Sequence, residues 1–327
     1  MSRRPTYRIT LQGQTISPEF RARLSRLRLT DRRGLEADQL DLTLTDDDGR
    51  LALPPRGAEL TLALGWAGEA LVERGTYIVD EVEHSGSPDV LIIRARSADM
   101  RGGLPGKRTQ SWEGLTLGEL VTTIAARHGL APVVGTTLQG VPIDHIDQTE
   151  ESDPHFLTRL AERFDAVATM KAGRLLFMAA GTATTASGLP IPPVQIRRRD
   201  GDGHRYITSD RDAFTGVVAA WHDPNSAERQ EVVAGSEANA KRLRPTYASE
   251  QDALDAARAE WQRLQRGHAE FSLELAEGDP RLMPETPAAL TGWKPEIDAT
   301  PWLITEVTHE LTDTAYTSSL RLEVMGE

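Results

Sequence analysis

Tyr77-Ile-Val-Asp-Glu-Val-Glu-His84 reads as one β-strand, and Trp302-Leu-Ile-Thr-Glu-Val-Thr-His309 repeats its pattern 225 residues later, with Glu81/Glu306, Val82/Val307 and His84/His309 identical. A Gly-Trp pair precedes each copy (Gly65-Trp66 and Gly292-Trp293), and a second β-rich run follows each (Val90 to Arg96 and Tyr316 to Val324). The pattern predicts two related β-domains, one at each end, flanking something different. The histidines at equivalent strand ends read as structural positions of the duplicated unit. Around the first copy, Leu40 to Thr45 alternates cleanly, Asp46-Asp-Asp-Gly49 turns the chain and Leu60 to Leu64 is the next strand. The alternation of Arg21 to Leu29 slips at Ser25-Arg26, the signature of a β-bulge. Short strands at this spacing predict a small antiparallel barrel or sandwich. Asp46 to Asp48 lacks the ligand spacing and distal Glu of a calcium loop and reads as a solvated turn.

The character of the chain changes at about Gly102-Gly-Leu-Pro105. Thr116-Leu-Gly-Glu119 is a capping box opening a helix whose face carries Leu117, Leu120, Val121, Ile124 and His128, with Gly129 as its stop. Ser152 and Pro154 open a second helix with Phe156, Leu157, Leu160, Ala161 and Phe164 as its buried stripe. Ala166 to Lys171 and Arg174 to Met178 pair about Ala172-Gly173. Gly181 to Gly203 is rich in Gly, Thr, Ser and Pro, ends in Arg197-Arg-Arg199 and reads as a linker or extended segment. The second β-domain opens with Phe214 to Trp221 and contains a helix at about 249–267, capped by Ser249 with Asp252 and ended by Gly267. Trp261 lies on its apolar face with Leu254, Ala257 and Leu264, as a core residue or a partner anchor. The expected architecture is α+β, mainly β. A first barrel spans 1–104, a small α+β unit 105–180, a linker 181–210, and a second barrel with its inserted helix 211–327.

Ser111-Trp112, Leu115 to Leu120, Ile124-Ala125, His128-Gly-Leu130, Ile146-Asp-Gln-Thr149, Glu151-Ser-Asp153, Phe156 to Ala161 and Lys171 to Phe177 resemble the middle of the phage late control D family. These are baseplate hub proteins of contractile-tailed bacteriophages, similar in architecture to the hub portion of type VI secretion spike proteins. The flanks agree with that family's two barrel regions, except that Met283-Pro-Glu285 stands where the family would place a Pro-Gly turn. The resemblance implies a structural hub in the virion tail baseplate, assembled in the host bacterial cytoplasm. It implies a homotrimer whose two barrels per chain form a pseudo-six-fold ring joining the tail tube to a three-fold spike. The implied partners are tail tube or tube-initiator proteins, baseplate wedge proteins and the tape measure protein. With the chain ending three residues after Val324, the spike is expected to be a separate protein.

Composition narrows the alternatives. At 39% hydrophobic and 26% charged, the 327 residues have ordinary globular composition. Without cysteine there is no disulfide, thiolate metal site or cysteine nucleophile. No stretch approaches the roughly 18 apolar residues of a membrane span. A net charge of -12 argues against general or sequence-specific nucleic-acid binding. Residues 1–33 nevertheless hold nine basic residues against Glu19 and Asp31. Arg21, Arg23, Arg26 and Arg28 are accordingly candidate partner or channel contacts, or the charges of a protected edge strand. No nucleophile elbow, phosphate loop or metal-ligand spacing is present, so no cofactor, metal or catalytic residue is expected. Two rivals remain: a peptidoglycan hydrolase using carboxylates of Asp144, Asp147, Glu150, Glu151 and Asp153, and a glycan-binding module, for which 5% aromatic residues is a thin supply.

Overall fold

A computed structural model describes residues 3–35, 38–98, 106–171, 173–185, 187–208, 214–223 and 228–326. The expected boundary at Gly102 to Pro105, the turn residue Ala172 and the expected boundary at 210/211 lie outside the described residues. The first unit comprises β1 (Pro5–Leu11), β2 (Gln14–Thr15), α1 (Pro18–Arg23), β3 (Leu24–Arg32), β4 (Gln39–Thr45), β5 (Glu59–Trp66), β6 (Val72–Ser85) and β7 (Val90–Ser97). Alternate residues of these strands, Leu27 and Leu29, Leu40, Leu42 and Leu44, Leu91 and Ile93, point into one core with Ile9 and Leu62. On β3 and β4 the other parity carries polar side chains, Arg26, Arg28 and Thr30 with Gln39, Asp41 and Thr43, as a one-sided sheet requires.

The middle of the chain forms β8 (Lys107–Thr116), α2 (Leu117–Arg127), β9 (Ala131–Val134), α3 (Thr136–Gln139), β10 (Pro142–Ser152), α4 (Asp153–Arg163), β11 (Ala166–Lys171) and β12 (Arg174–Ala179). The capping box at Thr116 and Glu119 is present in both directions, and Ser152 caps α4 with Pro in its first turn. Trp112, Phe156 and Phe177 anchor the core that these helices share with the strands.

The remaining elements are β13 (Val194–Arg197), β14 (Gly201–Thr208), β15 (Gly216–Asp223), β16 (Glu228–Gly235), β17 (Ala240–Tyr247), α5 (Glu250–Arg266), β18 (Ala269–Leu275), β19 (Pro287–Thr291), α6 (Pro295–Asp298), β20 (Trp302–Leu311) and β21 (Tyr316–Val324). Two sequence expectations are corrected here. The segment Gly181 to Gly203 is not simply a linker, because β13 pairs with β19 and β14, which begins at Gly201, with β18 inside the largest sheet. Residues 201–205 of β14 are mostly exposed on both faces, so no apolar alternation marked that strand. Phe214 to Trp221 does not open the second barrel either: β15 sits between β16 and β17 in a separate three-stranded sheet. Val217 and Ala219 of β15 pack there with Ala234, Ala253 and Ala257, under α5. Its apolar run is the same signal a barrel strand would give; only the pairing partner distinguishes them.

The largest sheet runs β14-β18-β21-β20-β3-β4-β7-β6-β5-β1-β2. Both β-units therefore belong to one sheet, joined where β20 of the second pairs antiparallel with β3 of the first.

Candidate assembly interface

The duplicated strands agree in backbone as well as sequence. The β6–β7 register shifts between Val79 and Glu81, and the β20–β21 register between Ile304 and Glu306, so Asp80 and Thr305 are bulged at the same place in the repeat. The predicted slip at Ser25 is a shift of β3 against β4 between Leu24 and Arg26, and β14 shifts against β18 between Gly201 and Gly203. The order β14-β18-β21-β20 is thus followed, in the same sheet, by the equivalent order β3-β4-β7-β6.

Equal sequence does not give equal surroundings. Glu306 reaches across the junction to Arg32 (3.0 Å), whereas Glu81 pairs with Arg94 (2.6 Å) on its own hairpin. Val307 is buried and Val82 half-buried. His84 is exposed beside Asp46 (3.4 Å), while His309 is buried with the hydroxyls of Ser318 and Tyr316 at 2.9 and 3.0 Å from its Nδ1. Burial, with Arg74 nearby, pushes the His309 imidazole down to about 3. The difference follows from position: β20 is covered by β3 on one side and β21 on the other, whereas among the described residues the end of β6, from Glu81 to Ser85, pairs with β7 alone.

The candidate arginines occupy three settings. Arg21 stacks over the Tyr7 ring, with its guanidinium carbon 5.5 Å from the centroid. Arg23 donates to Asp48 at 2.5 and 2.7 Å, and this hydrogen bonding holds the Asp48 carboxyl down to about 2. Arg26 and Arg28 face outward from β3, where Arg26 donates to Glu310 at 2.5 Å. Arg28 stands in register between Glu310 and Asp41, Asp41 is opposite Arg94, and Arg94 opposite Glu81, so charge alternates across five strands of the outer face. The basic surplus near the N-terminus is thus answered largely by distant carboxylates: Arg3 by Glu69 and Glu277, Arg8 by Glu73, Arg33 by Glu285 and Glu323. Trp261 is half-buried and packs against the small core of the β15–β17 sheet.

Sequence reading missed the ionic junction beneath this surface. Asp31 at the end of β3 receives Arg74 of β6 at 2.9 Å and Lys171, at the tip of the β11–β12 hairpin, at 2.5 Å. Arg74 also donates to the carbonyls of Pro280 (3.1 Å) and Leu282 (3.3 Å), so one cluster ties together both β-units and the central unit. Asp38 lies 3.5 Å from Lys171. Burial, and secondly the neighbouring Asp31, push the Asp38 carboxyl up to about 7. No sequence signal marks such a cluster, because members bonded to one another lie as many as 208 residues apart along the chain.

The acidic segment of the hydrolase reading is occupied by structural bonds. Ser111 donates to Asp147 (2.6 Å), Arg159 to Glu151 (2.8 Å) and Thr109 to Glu150 (3.2 Å). Asp153 is buried: burial raises its carboxyl, but hydrogen bonds from Gln148 and His128, with Arg127 nearby, hold it below the usual range. Among the described residues no three His, Asp or Glu side chains are grouped to hold a metal.

Comparison with known proteins gives a consistent result. A family model described as phage tail baseplate hub (GPD) matches residues 32–315. The probable baseplate hub protein of Escherichia phage 186 is 45% identical, covering 98% of this chain and 93% of its own length. Among solved structures, the 43 kDa tail protein of prophage MuSo2 from Shewanella oneidensis superposes with a TM-score of 0.70 at 15% identity, covering 97% of this chain and 98% of that one. The Escherichia coli c3393 protein, a component of the type VI secretion system, superposes at 0.63 and 14% identity, covering 98% and 77%. At these identities the two structures establish likeness of fold.

Proposed function

The chain belongs to the phage tail baseplate hub family, and from that premise we propose that three copies form a pseudo-six-fold ring linking the tail tube to a separate three-fold spike. The hub identity and the place in the virion tail baseplate follow from family membership. The ring is the finer reading, and one observation carries it: a single chain holds the same four-strand order twice, joined edge to edge by β20 and β3. Three such chains supply six similar units, and head-to-tail contacts repeated around a three-fold axis close into a ring. On this reading β3, β4, β7 and β6 from the unit 1–104 and β18, β21 and β20 from the unit 211–327 supply the ring strands, with β14 contributed from just before the second unit. The unit 105–180 and the β15–β17 sheet with α5 lie outboard. The protein acts as a scaffold rather than an enzyme. Its partners are the spike, tube or tube-initiator proteins, wedge proteins and the tape measure protein.

The test is the solution mass by light scattering, with and without the cognate spike protein. Three chains of 35.9 kDa give about 108 kDa, plus any spike. A monomer in both samples would overturn the ring. The outward row containing Arg26 and Arg28 is proposed to face the channel or the tube. Reversing both to Glu places like charge beside Glu310 and Asp41 and is expected to impair particle assembly, scored by electron microscopy of the tails; normal yield would remove this role.

A further inference from the structure

β13 ends a side branch of the largest sheet, outside the path that joins the two β-units. It pairs in parallel with β19, and among the described residues no strand pairs with its other edge. A groove of about 690 Å³ lies there. Val194, Gln195 and Ile196 line it in succession. Consecutive side chains of a strand point to opposite faces, so a groove lined by all three follows the edge of β13 rather than one face. Its other sides come from the stretch Leu275 to Leu282 and from the connection between β5 and β6, where Trp66 and Val72 line it. Ile196, Leu275 and Leu282 are buried and Val194 is half-buried, whereas Gln195 and Arg197 are exposed. β13 contains no proline, so each of its residues keeps the N–H that strand addition uses.

Most charges in the groove are matched to one another. Arg3 lies over Trp66, with its guanidinium carbon 4.7 Å from the ring centroid, and is held by Glu69 and Glu277. Arg281 donates to both oxygens of Asp279, at 2.9 and 2.8 Å. The end of β13 is different. Arg197, Arg198 and Arg199 are all exposed, Asp200 stands 4.0 Å from Arg199, and neither Arg197 nor Arg198 has a carboxylate partner among the described residues. Three cations thus share one carboxylate where the chain leaves the open strand edge.

We propose that β13 is a docking strand, to whose open edge an extended segment of another tail protein adds, apolar at alternate positions and acidic where it passes Arg197 to Arg199. An open edge offers unpaired main-chain groups to an incoming strand, and alternate side chains of that strand would enter the apolar part of the groove. The arginines fix the sign of the partner's charge, because guanidinium groups pair with carboxylates in the geometry that a planar fork provides. A nucleic acid is the poorer fit, since it cannot use a strand edge and would meet Glu69, Glu277 and Asp279 along the same groove. At about 3.3 Å per residue the four residues of β13 span about 13 Å, so the docked segment is short.

The test uses purified tails carrying this chain. A benzophenone amino acid in place of Gln195 is irradiated and the linked peptide is mapped by mass spectrometry. The expected product joins residue 195 to one acidic segment of a different tail protein. In the parent chain, the amides of residues 194–197 should exchange with deuterium on the order of tenfold more slowly in tails than in the free chain. The double variant Arg197→Glu with Arg198→Glu should lose the cross-link and the added protection, while its exchange elsewhere in the free chain stays as in the parent, which shows that it folds. Equal exchange of residues 194–197 in tails and in the free chain overturns the proposal, and this comparison needs only the parent, so it decides even if the variant yields no tails. A cross-link to a second copy of this chain or to a segment without acidic residues overturns it as well, as does a cross-link that persists in the double variant.

Discussion

Replacing Asp31 with Asn is expected to cost about 3 kcal/mol of stability, because it leaves the buried Arg74 without its carboxylate and removes the nearer of the two carboxylates beside Lys171. The Asp31 and Arg74 side chains are 6% and 5% exposed, so solvent cannot replace the lost partner. The change is isosteric, and the cost is electrostatic rather than a cavity. It should appear as a lower midpoint in urea, with the β-units and the central unit losing cooperativity first, since Asp31 is the atom group they share. Asp41→Asn, on the outer face of the neighbouring strand, is the control and should shift stability by no more than about 0.5 kcal/mol. Equal effects of the two substitutions would show that the junction is not an anchor.

The second large effect concerns acid. His309 titrates near 6.5 in the unfolded chain and about 3 in the folded one, so below pH 6.5 only the unfolded state gains its proton, and acidification removes stability. Asp38 behaves in the opposite sense. Its folded carboxyl titrates at about 7 and its unfolded one near 3.9, so between those values the folded state holds a proton that the unfolded state lacks, and acidification adds stability. From about pH 4 to 6.5 the two contributions oppose each other, proton for proton. Asp38→Asn should unmask the histidine: relative to the parent, the variant loses about 1.4 kcal/mol per pH unit on going from pH 6.5 to 4. His309→Asn, whose side-chain oxygen can take the place of Nδ1 toward Ser318 and Tyr316, should gain relative stability over the same range. Urea midpoints at four pH values check both slopes. Parallel pH profiles for Asp38→Asn and the parent would mean that Asp38 is ionised in the folded chain.

What could be read from the sequence was local. Strand alternation, the bulge at Ser25, the capping box at Thr116 and Glu119, and the Ser152 and Ser249 caps each depend on residues within a few positions of one another, and each is present. The repeat of Tyr77 to His84 in Trp302 to His309 was visible because both strands kept the same bulge and the same outward Glu. The relation of β14 to β3 was invisible, since Gly201 to Arg205 carry no apolar alternation and only the shared bulge and sheet position reveal it. The run at Val217 was legible as a strand but not as a member of a separate sheet, because pairing partner is not a property of a strand's own sequence.

By itself, then, the sequence determined the elements that carry apolar periodicity or a cap, the duplication and the family, all of which are written in residues close in the chain or repeated along it. The tertiary structure decided that His84 is exposed and His309 buried, that the N-terminal arginines are neutralised by carboxylates as much as 290 residues away, and that Asp31, Arg74 and Lys171 meet. The physical reason is the same in each case. Burial and charge pairing depend on which strand lies alongside, and strands are brought together by closure of the sheet rather than by proximity along the chain.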